Sequence, residues 1–134
     1  MKKLGVFVRY WFPLFIWMAV IFYFSSRPRV PVTDSYTISF IFFKSLHIIE
    51  YAFLYLLLFR AFNYKKQKTK PFMQSFTIPL LIGILYAASD EIHQTFVPTR
   101  EGRPRDVMID TLGMSLMLTF IYYNFKRIKR YLFI

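Results

Sequence analysis

Cysteine is absent from the chain, and acids are scarce: seven Asp and Glu stand against eighteen Lys and Arg. Without cysteine there are no disulfides and no thiolate chemistry, and the redox compartment cannot be read. Internal repeats and low-complexity segments are also missing, which sets aside repeat architectures. The net charge of +11 would suit a nucleic-acid binder. The basic residues, however, cluster between long apolar runs, which is the arrangement of a membrane protein, so no nucleic-acid partner is expected. What the chain does have is apolar surface. It is 56% hydrophobic and 22% aromatic over 134 residues, more than a soluble domain this short would bury.

The apolar runs predict four membrane spans, at about 6–24, 44–64, 72–93 and 105–124, within a single domain over 1–134. Tyr10 to Phe24 is continuously apolar, with Pro13 in the first turns, where a missing N–H is tolerated. A helix from Arg9 to Arg27 would cover roughly 27 Å, close to the thickness of a hydrocarbon core. Its aromatic content, with no small-residue cleavage site after it, separates it from a signal peptide. Pro28 and Pro31 stop this helix, and Asp34 or Ser35 is placed to cap the next. Ile38 to Phe43 reads as a short interfacial stretch ahead of the second span, and Pro79 with Gly83 predicts a bend in the third.

Twelve of the basic residues lie in the N-terminal head, in the Arg60 to Lys70 cluster and in the tail. The other six lie in the first loop with Lys44 and in the loop holding Arg100, Arg103 and Arg105. The positive-inside rule then puts both termini in the cytoplasm. All seven acids fall on the outward half, five of them between Tyr86 and Gly113. The fold class expected is all-α: an integral-membrane four-helix bundle, N-in and C-in, with a homo-oligomer left open.

Acids at the ends of spans are costly unless grouped. Helical spacing groups them. Lys44, His47 and Tyr51 share one face, with Glu50 three residues after His47. Tyr86, Asp90 and Gln94 form a second stripe beside Ser89 and Glu91, and Asp106, Asp110 and Gly113 a third. Counting from Lys44 and Arg105, Glu50 and Asp110 would lie roughly 9 and 7 Å below the outer surface. Gly113, Ser115 and Ala87–Ala88 would let the helices approach closely. The expected binding set is Lys44, His47, Glu50, Tyr51, Ser89, Asp90, Glu91, Gln94, Arg100, Arg105, Asp106 and Asp110. Within it, His47, Glu50, Asp90, Asp106 and Asp110 are candidate ligands for a divalent metal, since carboxylates with a histidine suit zinc or manganese. His47, Glu50 and Glu91 are candidate acid–base groups. The plainer reading is a hydrogen-bonded polar core, with Lys44 and an arginine neutralising the acids and Tyr51 and Gln94 completing the bonds. His93 stands at a helix end and belongs either to this group or to the surface. The loop arginines either snorkel or recognise phosphate or carboxylate.

These residues resemble the VanZ-like family of small bacterial membrane proteins. The resemblance rests on Ile21-Phe-Tyr-Phe-Ser-Ser-Arg-Pro28, on Lys44-x-x-His47-x-x-x-Tyr51, on Ser89-Asp-Glu-Ile-His-Gln94, and on Phe96-Val-Pro-Thr-Arg100 followed by Arg105-Asp-Val-x-Ile-Asp-Thr-Leu-Gly113. It extends over about residues 16 to 124. Thr99 stands where many relatives would have Gly, and Asp110 where Asn is common. The resemblance implies a multi-pass plasma-membrane protein linked to low-level glycopeptide resistance, teicoplanin above all; it supplies no reaction. Two mechanisms stay open: a polar pocket that engages the headgroup of a lipid-linked envelope precursor or an anionic lipid, and a metal-assisted hydrolase or transferase acting on such a headgroup. A small transporter is the weakest reading, since no broken-helix pair or inverted repeat is visible.

Overall fold

A computed structural model describes residues 3–28, 31, 33–64 and 73–133. Lys2, Arg29, Lys65, Lys66, Lys68 and Lys70, all used in the charge count above, lie outside the described residues. The described chain forms four long helices and no strand: α1, Leu4–Ser25; α2, Tyr36–Asn63; α3, Gln74–Gln94; and α4, Pro104–Leu132. The first three are long and apolar enough to cross a membrane. In α4 only residues 111–125, between Asp110 and Lys126, are free of charge. That is about 22 Å of helix, short of a full hydrocarbon core.

The helices run alternately up and down. Tyr10 of α1 stacks on Tyr64 just past α2, with ring centroids 5.3 Å apart. Arg60 Nε donates to the Leu132 carbonyl at the end of α4 (2.9 Å). The two described ends of the chain therefore share one end of the bundle, and the acidic stretch lies at the other. The core is Leu14 and Ile21 of α1, Leu54, Leu58 and Phe59 of α2, Ala87 of α3 and Met114 and Ile121 of α4. Outward faces are just as apolar: Phe15, Phe22, Ile49, Phe53, Leu81, Leu85, Leu116 and Phe120 are all exposed. With charges inside and hydrocarbon outside, the surface suits lipid better than water.

Upstream of Pro79, α3 opens with a π-helical turn, Met73–Thr77. Proline has no N–H and its ring crowds the carbonyl four residues back, here Ser75. The wider turn makes room, and Asn63 Nδ2 takes up the released Ser75 carbonyl (2.9 Å). α1 repeats the device, with a π turn at Phe7–Trp11 ahead of Pro13.

Two expectations about α2 need correction. The helix starts at Tyr36, so Ile38 to Phe43 is part of it and not a separate interfacial piece. Lys44 does not mark the helix end because its charge is matched inside the protein by Asp106. Counted from Tyr36, Glu50 lies about 21 Å along a 28-residue helix, near its middle. Ser35 occupies the N-cap with extended backbone, but its side chain makes no cap bond.

The α3–α4 connection contains Thr99 at φ 66°. A β-branched residue pays for this left-handed conformation, which glycine adopts freely. Thr99→Gly is expected to raise stability by up to about 1 kcal/mol, measured as a higher denaturant midpoint in mixed micelles. No change, or a loss, would mean that contacts of the Thr99 side chain outweigh the strain.

Candidate functional site

The polar group assembles where the last turn of α3 and the first two turns of α4 meet the middle of α2. Each helix presents one stripe, because residues three or four apart share a face. Lys44, His47 and Tyr51 are buried on α2, Asp90, Glu91 and Gln94 on α3, and Asp106 and Asp110 on α4. Close backbone approach makes this meeting geometrically feasible. A Cβ on Gly113 would collide with the Ile48 carbonyl of α2, and one on Gly102 with the Glu91 carbonyl of α3.

Asp90 is fully paired, by neutral donors. Its Oδ1 accepts from Ser25 Oγ (2.6 Å), and its Oδ2 from Gln94 Nε2 (2.9 Å) and Tyr51 Oη (3.4 Å). Gln94 also donates to Glu91 Oε1 (3.2 Å), while its own Oε1 accepts from Arg100 (3.2 Å). Glu91 Oε2 accepts the Arg103 backbone N–H (3.1 Å). On the other side, Lys44 Nζ lies 2.6 Å from Asp106 Oδ2, a tight ion pair whose approach is poorly aligned for a hydrogen bond. Arg105 Nε is 3.6 Å from Asp106 Oδ1, within ion-pair range only. Asp110, with no exposed surface, shares one oxygen with His47 Nδ1 (3.1 Å); its Oδ2 has no hydrogen-bond partner among the described residues.

A cavity of about 460 Å³ opens beside this network. Ile21, Phe24, Phe43 and Leu46 give it an apolar wall, and Ser25, His47, Glu50, Asp90 and Arg100 a polar one. It lies between α1, α2 and α3, whereas the polar stripes read from the sequence lie on the second, third and fourth spans. The missed contributor is α1. Ser25 bonds Asp90, Trp17 Nε1 donates to the Glu50 carbonyl (3.0 Å), and Tyr86 Oη donates to the Met18 carbonyl (2.7 Å). The signal was present in Ser25-Ser26-Arg27-Pro28, which reads as loop chemistry until a partner for Asp90 is sought.

Other expected members sit elsewhere. Ser89 is exposed on α3 and bonds back to the Tyr86 carbonyl, outside the network. It precedes Asp90 by one residue, about 100° around the helix and on the side away from Glu91. His93 joins α1, not the acids: its Nε2 is 3.0 Å from Ser26 Oγ and its ring stacks on Phe22. Arg100 is committed to the protein, donating to the carbonyls of Arg27 (2.7 Å) and Phe24 (2.8 Å) at the C-terminal end of α1, a favoured place for a cation. Arg103 pairs with exposed Glu101, and Arg105 is half-exposed over the Phe40 ring. A second recess of about 540 Å³, lined by Lys44, Arg100, Arg103 and Arg105 with Asp106, lies between the start of α2 and the α3–α4 connection. Of the candidate metal ligands, His47 and Asp110 converge with Glu91, each offering an atom within 4.8 Å of the others. Among the described residues, Glu50, Asp90 and Asp106 fall outside that trio.

The sequence model of the VanZ/LLP1 family matches residues 10–127, nearly the whole chain. The chain belongs to the VanZ/LLP1 family. No curated protein and no solved structure matches it. The matched VanZ/LLP1 region takes in all of α2 and α3, most of α1 and α4, the network, the cavity and the α3–α4 connection.

Proposed function

We propose that this VanZ/LLP1 member lies in the plasma membrane with both termini in the cytoplasm, and that its cavity takes up the headgroup of a lipid-linked envelope component. α4 is then a fourth span. The carrying observation is the two-sided cavity: an apolar wall of Ile21, Phe24, Phe43 and Leu46 facing a polar wall of His47, Glu50, Asp90 and Arg100. Binding sites for small ligands combine these two surfaces, the apolar part supplying affinity and a few fixed polar groups supplying orientation. A lipid carries the matching pair in one molecule. Low-level teicoplanin-type resistance, the outcome the family resemblance implies, would follow if occupancy altered how the drug meets its envelope target.

Leu46→Trp tests this. Leu46 is partly exposed at the cavity wall, so a larger ring fills space without breaking a polar contact. In a susceptible host, cells carrying the wild-type chain are expected to show a raised teicoplanin inhibitory concentration. The Leu46→Trp and Glu50→Gln variants, at equal membrane levels, should return it to the level of cells lacking the chain. Resistance undiminished in both variants would remove the cavity from the function.

His47 beside Glu50 on the cavity wall favours one further reading, a hydrolase or transferase acting on the same headgroup. Asp110 holds the His47 ring by one nitrogen, which is how an acid–base histidine is oriented. Release of a labelled headgroup by purified protein, abolished in His47→Gln, separates turnover from binding.

A further inference from the structure

We propose that His47, Glu91 and Asp110 bind a divalent transition-metal cation. The charge balance of the buried network leads there. Four acids are buried, Asp90, Glu91, Asp106 and Asp110, with one buried lysine. Lys44 answers Asp106. Asp90 is held by a serine, a tyrosine and an amide, and that amide carries the link to Arg100. Glu91 is left without a cation among the described residues, and Asp110 has only His47, a cation only when its ring is protonated. Two buried carboxylates with at most one imidazole to balance them are costly. They are also the two that converge with a histidine.

A second, independent observation is Asp110 Oδ2, buried in a fully enclosed side chain and bonded to nothing among the described residues. Buried polar atoms rarely stay unpaired unless something else completes them. The spacing also fits. His47 Nδ1 and Asp110 Oδ1 are 3.1 Å apart, the separation of neighbouring donors around an ion with bonds of about 2.1 Å. Glu91 brings the third atom within 4.8 Å, so a small inward shift completes three protein ligands. One imidazole with two carboxylates suits Zn²⁺ or Mn²⁺ better than the all-oxygen sites of Mg²⁺ and Ca²⁺. The outer contacts are in place as well: Gln94 Nε2 and the Arg103 N–H hold the two oxygens of Glu91, the kind of support that orients ligating carboxylates. This site does not depend on the headgroup reading, because its three ligands are all protein groups.

The test uses full-length protein purified in detergent without a histidine tag. Metal analysis of protein from zinc- and manganese-replete cells should find about one ion per chain. Chelator-stripped protein should take up Zn²⁺ or Mn²⁺ saturably by calorimetry. Glu91→Gln and Asp110→Asn should each lose that uptake while keeping the elution volume and helicity of the wild type. Gln94→Leu, which leaves all three ligands, should weaken affinity about 10- to 100-fold, and Glu101→Gln on the exposed loop should change nothing. Should Asp110→Asn misfold, Glu91→Gln and Gln94→Leu carry the test. A wild-type protein with only trace metal and no saturable uptake would overturn the site; the His47–Asp110 contact would then be a simple protonated pair. Uptake equal in wild type and Glu91→Gln would overturn it too, as binding elsewhere on the surface, and binding of Mg²⁺ or Ca²⁺ alone would overturn the metal class.

Discussion

Lys44→Met is expected to destabilise the protein by about 3–5 kcal/mol, the cost of leaving a buried carboxylate without its cation. Lys44 Nζ is the group closest to Asp106, at 2.6 Å, and both side chains are buried. Arg105, half-exposed and 3.6 Å away on the other oxygen, compensates little. Removing both charges should cost far less. In Lys44→Met/Asp106→Leu no ion is stranded, and apolar side chains of similar size pack where the pair stood, so stability should return to within about 1–2 kcal/mol of wild type. Reversible unfolding in mixed micelles measures all three variants with Asp106→Leu completing the cycle. Equal losses in the single and double variants would show that a stranded Asp106 carboxylate is not the source of the loss. The same experiment tests why α2 begins two turns before its lysine.

Gly113→Ala should cost about 1–3 kcal/mol, and Gly113→Val more, because the added carbon has backbone in its way. The atoms it meets are the carbonyl, its carbon and the Cα of Ile48 on α2, none of which can rotate aside. α4 must move outward, and Asp110, one turn earlier on the same face, moves with it. The 3.1 Å His47–Asp110 contact should therefore lengthen, seen as a change in the His47 ring resonances. Gly5→Ala is the matched control: nothing lies within 4 Å of its added carbon, and alanine is the better helix former, by up to about 1 kcal/mol. Equal behaviour of Gly113→Ala and Gly5→Ala would show that α2 and α4 are not in close contact there.

Helix number and the inward stripes were legible because they depend on spacing alone. Lys44, His47 and Tyr51 recur at helical intervals, and burying one buries the others. Asp106, Asp110 and Gly113 behave the same way. Helix limits were less legible, because a lysine marks a membrane boundary only when it reaches water, and the pairing of Lys44 with Asp106 is a contact between residues far apart in sequence. Ser25 was missed for a related reason. A serine near two prolines forms a turn in most settings, and its role depends on α1 folding back beside Asp90. Arg100 shows the opposite case: an arginine in an outward loop suggests a ligand contact, yet its nitrogens are already held by two main-chain oxygens and Gln94.

That commitment of Arg100 makes it a latch. Its guanidinium joins the connection after α3 to the last carbonyls of α1, along one wall of the cavity. An anion that enters and claims this cation takes it from the main chain of α1. Occupancy and the seating of the first helix would then be traded against each other.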